Sequence, residues 1–149
     1  MKELRGATRV LYFGRWFIPA PMWTITCDAS PWGFGAWLSK HGTPVSFFYD
    51  KVTALDEVAL GHPIGSHTGQ QAFETLCILI AVRVWKEHLE DYRSTFAVRI
   101  DYMGAFACFG KLPCRGGIAK VARELALELS DMAFTPQVLT HLPRCKRHR

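Results

Sequence analysis

Three short segments between Trp23 and Asp50 constrain most strongly what this chain can fold into. Trp23–Cys27 alternates Trp23, Ile25 and Cys27 with Thr24 and Thr26. Gly33–Ser39 is a second, glycine-containing candidate strand. Pro44–Asp50 is a third, with Val45, Phe47 and Tyr49 on one face. A period of two is the pattern of a β-strand. Pro31-Trp32 and His41-Gly42 turn the chain between these segments, and turns this short join antiparallel neighbours. The sequence therefore predicts a β-meander, and the remainder of the chain must pack against it.

Residues 51–69 contain Gly61, Pro63, Gly65 and Gly69 and read as a long loop. Gln70–Leu89 reads as a helix about 30 Å long at 1.5 Å per residue. Phe73, Leu76, Cys77, Ile80 and Val84 form its apolar stripe, and Ile78, Leu79 and Val82 widen it, so deep burial is expected. Thr95–Ile100 alternates again and predicts a fourth strand. Tyr102–Gly110 suggests a short helix. Gly117–Met132 is amphipathic, with Ile118, Val121, Ala122, Leu125, Leu129 and Met132 inward, and Gln137–His141 is a last short strand. This order predicts an α/β fold: a mixed five-stranded sheet, an antiparallel three-strand meander plus parallel strands, flanked by helices. The expected organisation is an irregular lead-in over 1–22, one domain over 23–142 and a basic tail over 143–149.

At 149 residues and 49% hydrophobic, the chain is long enough for one domain and too apolar for a disordered one. Its longest apolar run, Leu76–Val82, falls far short of the ~20 residues of a membrane-spanning helix. No membrane partner is expected. The net charge of +5 is unevenly placed. Arg144, Lys146, Arg147 and Arg149 give the tail +4, and residues 1–23 carry +3, so the body between them is −2. Such ends are either solvated or loosely attached to phosphates. Five cysteines without a secretory signal predict a reducing, intracellular setting and no disulfide framework. Cys27 and Cys77 lie in apolar stretches and read as core residues. Cys108, Cys114, His141 and Cys145 lack the compact spacing of a zinc site.

The topology brings three acids together. If the fourth strand lies beside the first and parallel to it, Asp28 and Asp101, which follow the ends of those strands, stand at one carboxyl edge of the sheet. The helix from Gln70 must start at that edge, and it carries Glu74 near its start. Glu74 shares a face with Ile78, Ala81 and Trp85, where a carboxylate costs free energy unless its charge is compensated. Clustered hard oxygens suit Mg²⁺ or Mn²⁺. Each acid also has an ordinary reading. Asp28 could cap the turn at Ser30-Pro31, Glu74 could complement a helix dipole, and Asp101 could be an N-cap.

The stretch Trp23–Leu38, W-T-I-T-C-D-A-S-P-W-G-F-G-A-W-L, resembles the first hairpin of a ribonuclease H domain, in particular the one that follows the reverse transcriptase of retroelements. Gln70-Gln71-Ala72-Phe73-Glu74 is similar to that family's second catalytic segment. Val98-Arg99-Ile100-Asp101-Tyr102-Met103-Gly104-Ala105 resembles the third, and Ile118–Leu127 the helix after it. The resemblance spans about residues 23–142. It implies metal ligands at Asp28, Glu74 and Asp101, which are also the implied catalytic residues. It implies a two-metal site for Mg²⁺ or Mn²⁺ and an RNA–DNA hybrid as substrate, cut in its RNA strand. Ser30 and Gln71 are the implied substrate contacts, near the 2′-hydroxyls that tell RNA from DNA. A reverse transcriptase domain of the same element is the implied protein partner.

The chain departs from the family in one consequential way. A fourth acid is expected after the last strand, yet Leu142–Arg149 holds none, as in a truncated or frame-shifted copy. The second ion is then expected to be weakly held and cleavage impaired. His141 belongs by position to the last strand and not to a catalytic loop. Two readings therefore stand: a metal-dependent endonuclease-type domain, or an inactive remnant of the fold that binds nucleic acid or serves as a structural module.

Overall fold

The computed structural model describes residues 21–90, 96–100, 116–132 and 137–140, the last as backbone. Strands β1 (Trp23–Ser30), β2 (Gly33–Lys40) and β3 (Thr43–Lys51) form the expected meander. β2 runs antiparallel to both neighbours, with a register shift at Leu38/Ser39 against β3. β4 (Phe96–Ile100) lies parallel to β1, with Trp23 opposite Phe96 and Thr26 opposite Arg99. The fold is α/β, built on a mixed sheet in the order β3-β2-β1-β4. A short β5 (Gln137–Thr140) runs parallel to β4 on its far side.

The stretch read as a loop is partly ordered into helix. α1 spans Ala54–Leu60 and is closed at its start by a capping box: Thr53 Oγ1 accepts from the Asp56 amide, and the Asp56 carboxylate accepts from the Thr53 amide at 2.8 Å. Gly61, in the left-handed region, ends it. Glycines and a proline downstream obscured this T-x-x-D start, which is a helix signal of its own. A 3₁₀ turn, His67–Gly69, then leads into α2 (Gln70–Val84).

The predicted helix to Leu89 is also broken. α2 stops at Val84, and α3 (Lys86–Leu89) comes after Trp85, whose backbone leaves helical geometry. Trp85 is pinned beneath the meander: its indole N–H donates to Ser46 Oγ at 3.1 Å and its ring packs on Phe48. Val84, expected inward, is exposed as a result. α4 (Gly116–Asp131) matches its predicted stripe, with Val121, Ala122 and Leu125 buried and Ile118 and Leu129 packed on the core.

One core joins these elements. Ile25, Cys27, Ala29, Ala36, Leu38, Val98 and Ile100 project from one face of the sheet onto Phe73, Cys77, Ile78, Ala81 and Val82 of α2 and the buried side of α4. α2 is buried nearly all round, as its continuous apolar composition demands. Outside the core, Arg83 bridges to Glu124 at 2.8 Å and Glu128 at 2.7 Å, tying α2 to α4. No described helix is long and apolar enough to cross a membrane.

Candidate functional site

Asp28 sits near the end of β1, between Cys27 and Ala29, which face the core. Alternation sends its side chain to the opposite face, where it is exposed. Among the described residues its carboxylate makes no hydrogen bond or ion pair. The turn after it is closed by Ser30 instead. The Ser30 hydroxyl accepts from the Gly33 amide at 3.2 Å and donates to the Gly33 carbonyl at 3.1 Å. Asp28 is thus not the capping residue of that turn. Ser30, read as a substrate contact, has its hydroxyl engaged in the hairpin.

Glu74 lies one turn into α2 and is buried at 7% exposure. Its neighbours on that face, Ile78, Ala81 and Trp85, are buried as well. Glu74 Oε1 accepts from Gln70 Nε2 at 3.0 Å. The same amide nitrogen donates to the carbonyl of Ala29, at the carboxyl end of β1. Gln70 is therefore a clasp. It fixes the start of α2 to the strand end that carries Asp28 and orients Glu74 at the same place. The sequence pointed to Gln71 for this neighbourhood. Gln71 is half-buried, and its carbonyl accepts from Thr75 Oγ1 at 2.7 Å. The role of Gln70 was legible only as the first residue of the predicted helix.

Beneath the two acids lies a pair of free thiols. Cys77 Sγ on α2 donates to the Gly35 carbonyl at 3.2 Å, and Cys27 on β1 is buried beside it. The Cys27 thiol is held well above its usual range, first by its hydrogen bond to Cys77, then by burial, then by the nearby charges of Cys77, Glu74 and Asp28. Both carboxylates thus lie within electrostatic reach of one buried sulfur, although one comes from a strand and the other from a helix.

The third acid, Asp101, lies outside the described residues, as do Tyr102–Gly110, Cys108, Cys114, His141, Cys145 and the basic tail. β4 ends at Ile100, one residue before Asp101, and runs parallel to β1 toward the edge where Asp28 stands. Among the described residues, no group of three His, Cys, Asp or Glu side chains is placed to hold a metal ion. Two carboxylates, one solvated and one buried, are what the described residues bring together.

On the open side of the sheet, Asp28 borders a trough of about 570 Å³. Its floor is Gly33 and Gly35 of β2, and its far wall is Phe47 and Tyr49 of β3. Comparison with known proteins gives no answer of its own: no family model and no curated protein matches the chain.

Proposed function

We propose that this chain is a ribonuclease H-like domain, with Asp28, Glu74 and Asp101 as the carboxylates of a metal-dependent nuclease site acting on the RNA strand of an RNA–DNA hybrid. One observation supports the reading: Gln70 binds both the Ala29 carbonyl at the end of β1 and the Glu74 carboxylate, so the helix start that carries Glu74 is fastened to the strand end that carries Asp28, and β4 runs parallel to β1 beside it. The resemblance of residues 23–142 to the ribonuclease H domains of retroelements supports it, because Asp28 and Glu74 fall in its first two segments.

The donor set suits a hard divalent cation, Mg²⁺ or Mn²⁺, because it consists of carboxylate oxygens. When bound, such ions activate water and stabilise a leaving oxygen. The protein's own contribution is positional. Asp28 presents a carboxylate to the open face, with no competing hydrogen bond among the described residues. Gln70 holds Glu74 in one orientation, so its second oxygen has a fixed direction. The buried core beneath, with Cys27 kept as a neutral thiol, removes water from one side of the pair. Residues 132–149 add no carboxylate, so the 149-residue chain is expected to cleave slowly and better with Mn²⁺ than with Mg²⁺.

The test is cleavage of a labelled RNA–DNA hybrid with each metal, alongside Mn²⁺ binding measured calorimetrically. Asp28→Asn is expected to abolish cleavage and weaken Mn²⁺ binding while leaving the fold intact. Glu74→Gln keeps an oxygen for Gln70 and should act the same way. Cleavage that survives Asp28→Asn would end the proposal. Mn²⁺ binding without cleavage in the parent chain would favour the inactive remnant.

A further inference from the structure

The side of the sheet that carries Asp28 has a second feature, which the acids do not explain. Residues paired directly across strands point to the same face. The pairs Asp28–Gly35 and Gly35–Tyr49 make one row across β1, β2 and β3. Arg99–Thr26, Thr26–Trp37 and Trp37–Phe47 make the next, and Ser30–Gly33 and Gly33–Lys51 a third. This face therefore presents three aromatic rings, Trp37, Phe47 and Tyr49, exposed at 41%, 74% and 82%. Arg99 and Lys51 flank them, both exposed. Among the described residues, none of the three rings packs on another ring, and none has a hydrogen-bonded side chain. Among the described residues β3 is the edge strand, beyond which no further strand pairs with the one that carries Phe47 and Tyr49.

We propose that this face is a stacking platform for an unpaired nucleic-acid strand, laid over β2 and β3 beside Asp28. Three observations on the same face select this occupant. Aromatic rings offer π-faces to any base, which tolerates sequence. By register this face carries two cations, Arg99 and Lys51, against one acid, Asp28, while Asp50 also lines the trough. Arg99 ends the row that holds Trp37 and Phe47, and Lys51 ends the row next to that of Tyr49, where the phosphates of a strand crossing the face would be held. Gly33 and Gly35 place no side chain between Asp28 and the rings, leaving an open trough in which a sugar–phosphate chain can run. Phe47 and Tyr49 are two residues apart on one strand, so their attachment points lie roughly 7 Å apart, about twice the 3.4 Å rise of stacked bases. That spacing takes one base per ring from a stretched strand and does not fit a closed duplex, whose bases are already stacked on each other. The proposal goes beyond the nuclease reading, whose substrate is a hybrid duplex: the platform takes an unpaired strand, and the binding it describes requires no metal and no cleavage.

The experiment uses the full chain in chelator, at low salt, with fluorescently labelled oligo(U) and oligo(dT) of about twelve nucleotides, within the span of known single-strand sites. Anisotropy should report binding of both, tighter than to a duplex of equal length. Phe47→Ala and Tyr49→Ala should each weaken it about five- to a hundredfold, the range seen for losing a stacked base. Tyr49→Phe should restore it. Both side chains are exposed, so the variants should fold, and circular dichroism checks this. A second variant, with Arg144, Lys146, Arg147 and Arg149 changed to Ser, separates the platform from the basic tail. It should flatten the salt dependence and leave the ring dependence in place. Equal binding by the triple variant Trp37→Ala/Phe47→Ala/Tyr49→Ala would overturn the proposal. So would loss of all binding with the tail variant. Self-association that Phe47→Ala abolishes, in a chain that binds neither oligonucleotide, would also overturn it and assign the face to a second copy. Ring-dependent binding with no hybrid cleavage would leave the platform standing and count against the nuclease reading alone.

Discussion

The two faces of one sheet are made from the same three strands and solve opposite problems. The inner face is close-packed. Ile25 and Leu38 are fully buried beneath α2, and the helix offers Phe73, Cys77 and Ile78 in return. The outer face leaves Phe47 and Tyr49 in solvent within the same few residues of chain. Apolar character alone does not separate them, because Phe47 and Tyr49 are as large as Phe73. Position in the register does. The residues that alternate toward the helices are held by neighbours on every side. Those that alternate away lie across from Trp37 or Gly35, and among the described residues no helix covers them. The inner aromatics hold the fold together, and the outer ones are free for another task.

Truncating one aromatic on each side makes the sharpest break in that comparison. Phe73→Ala removes a fully buried ring between α2 and the sheet. It should cost about 3–5 kcal/mol in urea unfolding, the transfer loss plus the cavity. Phe47→Ala, with 74% of its surface already in water, should stay within about 0.5 kcal/mol of the parent. A large loss at Phe47 would mean that its ring is covered after all and would erase the distinction between the faces.

A smaller effect is expected where α1 meets α4. A Cβ on Gly117 would press on Leu60 Cα and come within 2.5 Å of the Leu60 carbonyl oxygen. These are backbone atoms that cannot swing aside, so Gly117→Ala should cost about 1–3 kcal/mol through displacement of one helix end. Gly35→Ala sharpens the comparison on the open side. Its Cβ would meet the Phe48 carbonyl at 3.1 Å, a tighter contact than usual but one that shorter shifts relieve, so the loss should be less than at Gly117. Thermal unfolding of the two variants ranks them.

Legibility in the sequence tracks the strength of its periodic signals. The meander, the parallel placement of β4 beside β1 and the stripe of α4 were readable, because alternation and amphipathicity report burial directly. That Phe47 and Tyr49 share a face was also readable, but not which face, and the register shift at Leu38/Ser39 leaves Val45, read with them, outside the cross-strand pairing. A period of two fixes the rhythm of a strand and says nothing about the side on which helices will pack. α1 was hidden because its glycine-rich surroundings outweighed a four-residue capping signal. The break at Trp85 was hidden for another reason. Its cause is tertiary, a hydrogen bond to Ser46 some forty residues earlier in the chain. That the end of β1 with Asp28 and the start of α2 with Glu74 stand at one edge of the sheet was legible through topology. Gln70 was not, since its two hydrogen bonds depend on the distance between a helix start and a strand end, which no local pattern encodes.

The smallest expected effect concerns the thiol that lies between the faces. Cys27 belongs to the inner face, yet the carboxylates of Asp28 and Glu74 act on it, after the Cys77 hydrogen bond and burial, to disfavour its thiolate. Its ordinary value is 9.0, and in the folded protein it lies well above that. Below pH 9 the thiol is protonated in both the folded and the unfolded chain, so it contributes no pH dependence. Above pH 9 the unfolded chain releases this proton while the folded chain retains it, so stability must fall with rising pH until the folded thiol itself ionises. Urea midpoints of the parent should therefore decline between pH 9 and higher values more steeply than those of Cys27→Ala, which lacks the group but is less stable at neutral pH for want of its packing. Converting Asp28 to Asn removes one of the charges that oppose the thiolate and should make the alkaline decline slightly shallower. Equal slopes in the parent and Cys27→Ala would show that the thiol does not sense its surroundings, and with that the electrostatic link between the solvated acid on one face and the core on the other would be lost.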